Sequence, residues 1–456
     1  MIEMRQRNLN NINELRKDEF KKDLLQLALP VTLQSLLQSS FSIIDQVMAG
    51  QLGSVSVAAI GLSGKFISLL TVMVSAVSAV AGIIIAQAIG KNEKKQAGKG
   101  FCSNLLLALI ISAGFLIISS IFPRNIMGLY SKDKETISVA AGYLRIYGIS
   151  FIPMAVTSIL SAYLRCVNSA KIPLYAGIGA AATNTVLNYM LIFGNLGAPK
   201  MGVNGAAWAS VISQVAGCII LILFSFFPKN KINITISIYR DKKEIRNYLY
   251  ILMPMFVCEF LWVLGENVYG LIYGHMGTKD CAAMTLINPI VSLMIGALSG
   301  VAQAAGIMVG KLLGASQEEK AYLTSKRLMK TGLICSLILS VLLLLLNSFY
   351  VEIFNVENEV KNTTRMILVA FAVVSPIKVQ NMILGGGILR SGGKTKYVMV
   401  IDIIGTWIFG VPIGLAAAFI LKLPIAWVYF LLSMEECIRL IISIVLFRKR
   451  NWMQKL

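Results

Sequence analysis

The chain has 456 residues, 56% hydrophobic and only 14% charged, against roughly 25% charged in a typical water-soluble domain. Its net charge of +20 lies in short segments between apolar runs and forms no basic stripe with interleaved aromatics, so no nucleic-acid-binding module is present. Seven scattered cysteines without a C-x-x-C pair, and the single His275, leave no ligand set for a zinc or redox enzyme.

Residues 1–23 are polar and carry no small-residue cleavage site, so they read as a cytoplasmic amino-terminal segment and the first span acts as its own targeting signal. Apolar runs long enough to cross a bilayer as helices then recur along the whole chain. The first runs over 24–44 with Pro30 inside it and Asp45 just past its end, and is followed by spans at 54–80, 101–122 and 138–160. The fifth, 172–193, carries Asn184 and Asn188, and the sixth, 205–227, carries Ser210. Residues 228–247 form the only long connection and read as a cytoplasmic linker between an amino lobe, 24–227, and a carboxyl lobe, 248–446. In the second lobe, span 248–273 carries Glu259, Trp262 and Glu266, followed by spans 282–309, 331–349, 366–388, 397–419 and 424–446. A cytoplasmic tail, 447–456, ends the sequence. The expected fold is an all-α integral membrane protein of twelve transmembrane helices.

Of the 42 Lys and Arg, 30 fall at the two chain ends and after even-numbered spans, eight fall in the opposite loops, and Lys65, Arg145, Lys378 and Arg439 fall inside spans. Because positive residues accumulate on the cytoplasmic side, both termini are expected there, in a multi-pass protein of the plasma membrane. Sliding the chain on itself by 224 residues places Pro30 on Pro254, Gly53 on Gly277, Gly82 on Gly306 and Gly90 on Gly314; at 225, Leu164-Arg165 falls on Leu389-Arg390. The molecule therefore reads as two pseudo-symmetric six-helix bundles. An even number of spans per repeat makes the copies parallel, related by an axis along the membrane normal, as in transporters whose halves rock about a central cleft.

Ionisable groups inside spans are costly and usually face a cavity or a partner. By height along their helices, Asp45, Asn184, Asn188 and Ser210 reach similar depth, and Asn184 and Asn188 share a helix face at i and i+4. A carboxylate ringed by amides and a hydroxyl can hold a proton or a desolvated Na⁺, whereas an acid at a helix end could simply face water. Pro30 removes a backbone hydrogen bond within the span and reads as a gating hinge or a static kink. Glu259 and Glu266 beside Trp262 suit a cationic amphiphile, through charge and cation-π attraction. Glu259 could instead pair with Lys378 or Arg145, Asp402 with Lys394 or Lys396, and Arg439 with Glu435 and Glu436 on its own helix. The run Gly385 to Thr395 fails as a phosphate loop, because Ile388 stands where a glycine is needed, and it reads as close helix packing.

The pattern Leu29-Pro30, Asp45, Gly50-Gln51-Leu52-Gly53 and Ala58-Ala59-Ile60-Gly61, with Asn184 and Asn188, resembles the multidrug and toxic compound extrusion (MATE) family. Pro254, Glu259, Trp262, Gly265 and the run Gly277 to Ala283 add to the resemblance, which covers nearly the whole chain. It implies two lobes meeting at a cleft, export of amphiphilic and often cationic compounds, and coupling to inward H⁺ or Na⁺. It also implies an amino-lobe cation site at the positions of Asp45 and the span-5 amides. This chain has Asn188 where archaeal-type members have a second aspartate, and residues 366–388 lack the acid that some members carry in span 10. The expected function is antiport export of a small molecule by a monomer in the lipid bilayer, without cofactor, catalysis or nucleic acid. The alternative is a flippase of a lipid-linked oligosaccharide or related precursor, which would need a strongly cationic cleft.

Overall fold

A computed structural model describes residues 2–225, 235–354 and 356–455. Among these there is no strand, as expected of a chain in lipid, where each backbone N–H and C=O must find its partner within the segment. The amino lobe comprises α1 (Ile2–Gly50), α2 (Ser54–Gly90), α3 (Lys94–Ile121), α4 (Lys134–Cys166), α5 (Lys171–Phe193) and α6 (Gly202–Ser225). The carboxyl lobe comprises α7 (Lys242–Met276), α8 (Thr278–Gly314), α9 (Glu318–Glu352), α10 (Asn358–Leu389) and α11 (Thr395–Ile420). It ends with α12, formed by Ile425–Ser433 and Glu435–Arg448 with a break at Met434. Ten helices, α2 to α11, are long and apolar enough to cross a membrane, and α1 and α12 stand at the remaining two expected spans.

Residues 228–234 of the expected linker lie outside the described residues. The seventh helix starts at Lys242 rather than 248, where the Asp241 carboxylate accepts from the Lys243 backbone N–H at 3.3 Å and so caps the first turn. His275 sits in the last turn of α7 rather than in a loop, its Nδ1 2.8 Å from the Leu271 carbonyl.

The duplication recurs in the backbone. Gly53 and Gly277, with φ of 90° and 155°, turn α1 into α2 and α7 into α8, a conformation that favours glycine. The left-handed residues after α2 and α8 are Asn92 and Ser316, and those after α4 and α10 are Asn168 and Gly393. Each pair is separated by 224 or 225 residues, the same offset as the sequence repeat.

The lobes meet at the end of the bundle rich in Lys and Arg. One continuous core joins residues of both lobes there, including Val80, Ile84 and Leu164 on one side and Ala305, Leu313 and Leu389 on the other. Further along the helices the core divides into clusters belonging to one lobe each. With lipid as solvent, close backbone approach at small residues takes over much of the role of the hydrophobic effect. A Cβ added to Gly90 would overlap the Lys311 carbonyl, and one added to Gly314 would overlap the Gln87 carbonyl. These are the same contact made twice, since Lys311 stands in the second repeat where Gln87 stands in the first. Beside them, a Cβ at Gly310 would sit 3.2 Å from that of Ala86, its own counterpart. Gln87 donates to the Ser391 carbonyl at 2.7 Å, and Lys311 to the Asn168 side chain at 2.7 Å. Arg165 of α4 spans the seam, donating to Gln303 at 2.5 Å and to Gln34 at 3.0 Å. The tail also crosses it: Gln454 accepts from Gln87 at 3.1 Å, while Trp452 is buried against Phe447 and Gly392.

Candidate functional site

In the amino lobe, α1 and α5 bring Asp45, Asn184 and Asn188 together. Asn188 Nδ2 donates to Asp45 Oδ1 at 2.8 Å and to Asn184 Oδ1 at 3.0 Å. Both asparagines are buried, as the shared face at i and i+4 requires when that face meets α1. The Asn184 amide lies 2.8 and 3.2 Å from the two carboxylate oxygens of Asp45. With its oxygen toward Asp45 it accepts from Asn188 but opposes a second acceptor; with its nitrogen there it satisfies the carboxylate but opposes the Asn188 nitrogen. A bare carboxylate is thus met by amide donors from both asparagines when Asn184 turns its nitrogen to it, and a proton or metal cation on Asp45 suits the orientation with the Asn184 oxygen there. Asn188 Oδ1, the other end of the amide that donates to Asp45, is buried and has no hydrogen-bond partner.

Ser210 joins this hydrogen-bonded chain only through its backbone carbonyl, not its hydroxyl. Its side chain lies beside the Tyr143 phenol, and it is Ser213, one turn further along α6, that accepts from Asn184 Nδ2 at 3.4 Å while donating to the Ser210 carbonyl at 2.9 Å. Depth along α6 places both serines near Asp45, but only helix rotation decides which one faces α5. Tyr143, stacked on Tyr147 at 5.6 Å, is a further buried polar neighbour of Asp45 that the sequence reading missed. Its signal was a pair of tyrosines at i and i+4 in α4. Pro30 is buried in α1 where that helix crosses α8, beside Thr32, whose hydroxyl donates to the Ala297 carbonyl at 2.9 Å.

In the carboxyl lobe, Glu259, Trp262 and Glu266 of α7 line a cavity of 520 Å³. A second cavity of 340 Å³ adjoins it, and Glu266, Asn288, Val291, Lys378 and Glu436 line both. The ion pairs differ from those expected. Glu259 pairs with Arg390 at 3.1 Å rather than with Lys378 or Arg145, and Arg390 also donates to Cys258 Sγ at 3.3 Å. Asp402 lies 3.7 Å from Arg439 and accepts from Cys258 at 2.6 Å; neither Lys394 nor Lys396 reaches it. Arg439 meets Glu435 at 3.4 Å as the i, i+4 spacing expects, and Tyr269 also donates to Glu435. Glu436 takes Asn381 instead, at 2.8 Å. Among the described residues, the side chains of Glu266 and Lys378 make no hydrogen bond or ion pair.

Helix α11 makes room for this buried charge. Its segment Ile403–Gly410 is π-helical, a local widening often found at functional sites, and Gly405 and Gly410 leave space for the Arg439 stem and the Glu435 carboxylate. The glycine-rich run in α10 is also π-helical over Met382–Leu389, and Gly387 rests on the Ala302 carbonyl of α8.

The MatE family model matches residues 30–190 and 254–416, one block in each lobe. The chain is 24% identical to the transporter YisQ of Bacillus subtilis over 95% of both chains. It is 25% identical to multidrug and toxin extrusion protein 2 of Mus musculus, over 88% of this chain and 70% of that one. Its fold superposes on a crystal structure of a MATE protein in complex with MaL6 with a TM-score of 0.87 at 18% identity, over 94% and 96% of the two chains. It also superposes on an outward-facing MATE family transporter with a TM-score of 0.86. With matched blocks covering most of the sequence and a two-lobed twelve-helix fold, the chain belongs to the MatE family of multidrug efflux transporters.

Proposed function

We propose that the protein is a secondary antiporter of the plasma membrane that exports amphiphilic organic cations in exchange for H⁺ entering at Asp45. The observation that carries this reading is the Asp45, Asn184 and Asn188 cluster, a carboxylate inside a span that meets neutral amides and, among the described residues, has no ion-pair partner. With a proton on Asp45, its O–H donates to Asn184 Oδ1 while Asn188 donates to both; without it, Asn184 turns its amide nitrogen to the carboxylate, so the contact of α1 with α5 changes with the protonation state. A single carboxylate among neutral amides favours H⁺. The unpartnered Asn188 oxygen supports Na⁺ as a second reading.

Loss or gain of that cation alters how the outer half of α1 rests on α5. Pro30, about 22 Å below Asp45 at 1.5 Å per residue, is the point at which the helix can bend, having no backbone N–H to bond. The seam at the basic end is closed, so the molecule is in an outward-facing state if that end is cytoplasmic, as the charge distribution requires. Substrate occupies the carboxyl-lobe cavities, where four carboxylates and three basic groups line the larger one. That balance supports a cationic cargo over the pyrophosphate of a lipid-linked precursor. Each chain encloses its own cavities, which suits a monomer.

The test is dye efflux from vesicles under separately imposed pH and Na⁺ gradients. A pH gradient should drive efflux by the wild type, and Asp45→Asn should abolish the response to that gradient. Transport unchanged in Asp45→Asn refutes the coupling role, and drive by Na⁺ alone selects the second reading.

A further inference from the structure

Arg390 takes Glu259, Arg439 and Tyr269 take Glu435, and Asn381 takes Glu436, so the carboxyl lobe satisfies most of its internal charge. Two groups of opposite sign remain. Glu266 of α7 is exposed to the cavities without a hydrogen bond or ion pair, and Lys378 of α10, half-buried, likewise has none. Both line both cavities, so they flank the place where the 340 and 520 Å³ spaces meet.

An ammonium inside a span is costly unless water, a ligand or an acid meets it; Glu436, Glu266 and Glu435 attract that of Lys378 without closing an ion pair with it, so it still lines both cavities. Aromatic walls stand on either side of the pair: Trp262 in the larger space, and Tyr273 and Tyr429 in the smaller. The combined volume suits a drug-sized molecule.

We propose that this pocket selects zwitterionic amphiphiles, Glu266 taking the cationic nitrogen and Lys378 a carboxylate, sulfonate or phosphate on the same molecule. The proposal rests on the exporter reading and narrows its substrate class. Lys378 is the specificity-determining residue: among cationic amphiphiles it favours those that also carry an anionic group.

The experiment uses the full chain in vesicles and one xanthene dye in two forms, the free carboxylic acid, which is a zwitterion, and its ethyl ester, which is a cation. Binding is read by fluorescence polarisation and transport by efflux. Lys378→Gln should weaken binding of the acid about tenfold, the scale of one charge-assisted hydrogen bond, and leave the ester unchanged or tighter. Lys378→Arg should keep the preference for the acid. Glu266→Gln should weaken both forms. Ester binding by Lys378→Gln serves as the folding control. Equal effects of Lys378→Gln on the two dyes, or a loss confined to the ester, overturn the zwitterion pocket while leaving export intact. Failure of the wild type to bind or move either form overturns both readings.

Discussion

At the scale of single residues, Asp45 and Glu259 occupy contrasting surroundings although each is an acid within the first span of its lobe. Asp45 faces amides, which leave its charge uncompensated, whereas Glu259 is held by a guanidinium. Glu259→Gln should therefore act first on stability, because it strands Arg390; with both side chains about four-fifths buried, a loss of about 2 kcal/mol is expected, below the 3–5 kcal/mol of a fully buried pair. Thermal unfolding in detergent checks this, and the double variant Glu259→Gln/Arg390→Gln should recover most of the loss. The sequence left Glu259 as a substrate ligand or a partner of Lys378 or Arg145, and did not point to Arg390 because that residue falls beyond the expected span, where it reads as a loop cation. In the fold α10 continues through Leu389 and Arg390 turns back toward α7. Depth, which the sequence encodes through helix rise, brought Asp45, Asn184 and Asn188 to one level. Rotation about α6, which depends on packing, is what separated Ser213 from Ser210.

Among elements, α11 is the one whose shape depends most on what it covers. Gly410 is where the Glu435 carboxylate and the Tyr269 hydroxyl meet the helix. Gly410→Ala should force α11 away from α12 and destabilise the protein by about 1–3 kcal/mol, the range for overpacking a filled site. Gly114→Ala in α3, where nothing lies within 4 Å, should leave stability unchanged or raise it by up to about 1 kcal/mol through helix propensity. Melting curves of the two variants side by side decide the point. The existence and order of the helices were readable because each needs some twenty apolar residues. The π-helical stretches were not, since they arise from the charges and neighbouring backbones that the widened turns accommodate rather than from any local composition.

For the whole molecule, the repeat read from glycines and prolines reappears as a two-fold seam, with Gly90 on Lys311, Gly314 on Gln87, and Ala86 facing Gly310. The cysteine pair Ala86→Cys/Gly310→Cys, in a background with the seven native cysteines replaced, should form a disulfide on oxidation, because the Cβ atoms stand 3.2 Å apart, near the spacing such a bridge needs. Transport should stop in the oxidised protein and return with reductant; transport that continues through the bridge would mean the seam does not open in the cycle. What the sequence could not supply was the side on which the lobes touch, since the offset relates the halves without saying which faces approach.

That seam has a mechanical corollary. Two identical clasps set on opposite sides of one axis share the load, so relaxing either alone leaves the other engaged and the entrance still shut. The halves cannot peel apart from one edge. If the lobes part during export, both grips release in a single movement, and the passage behaves as a toggle with two resting positions.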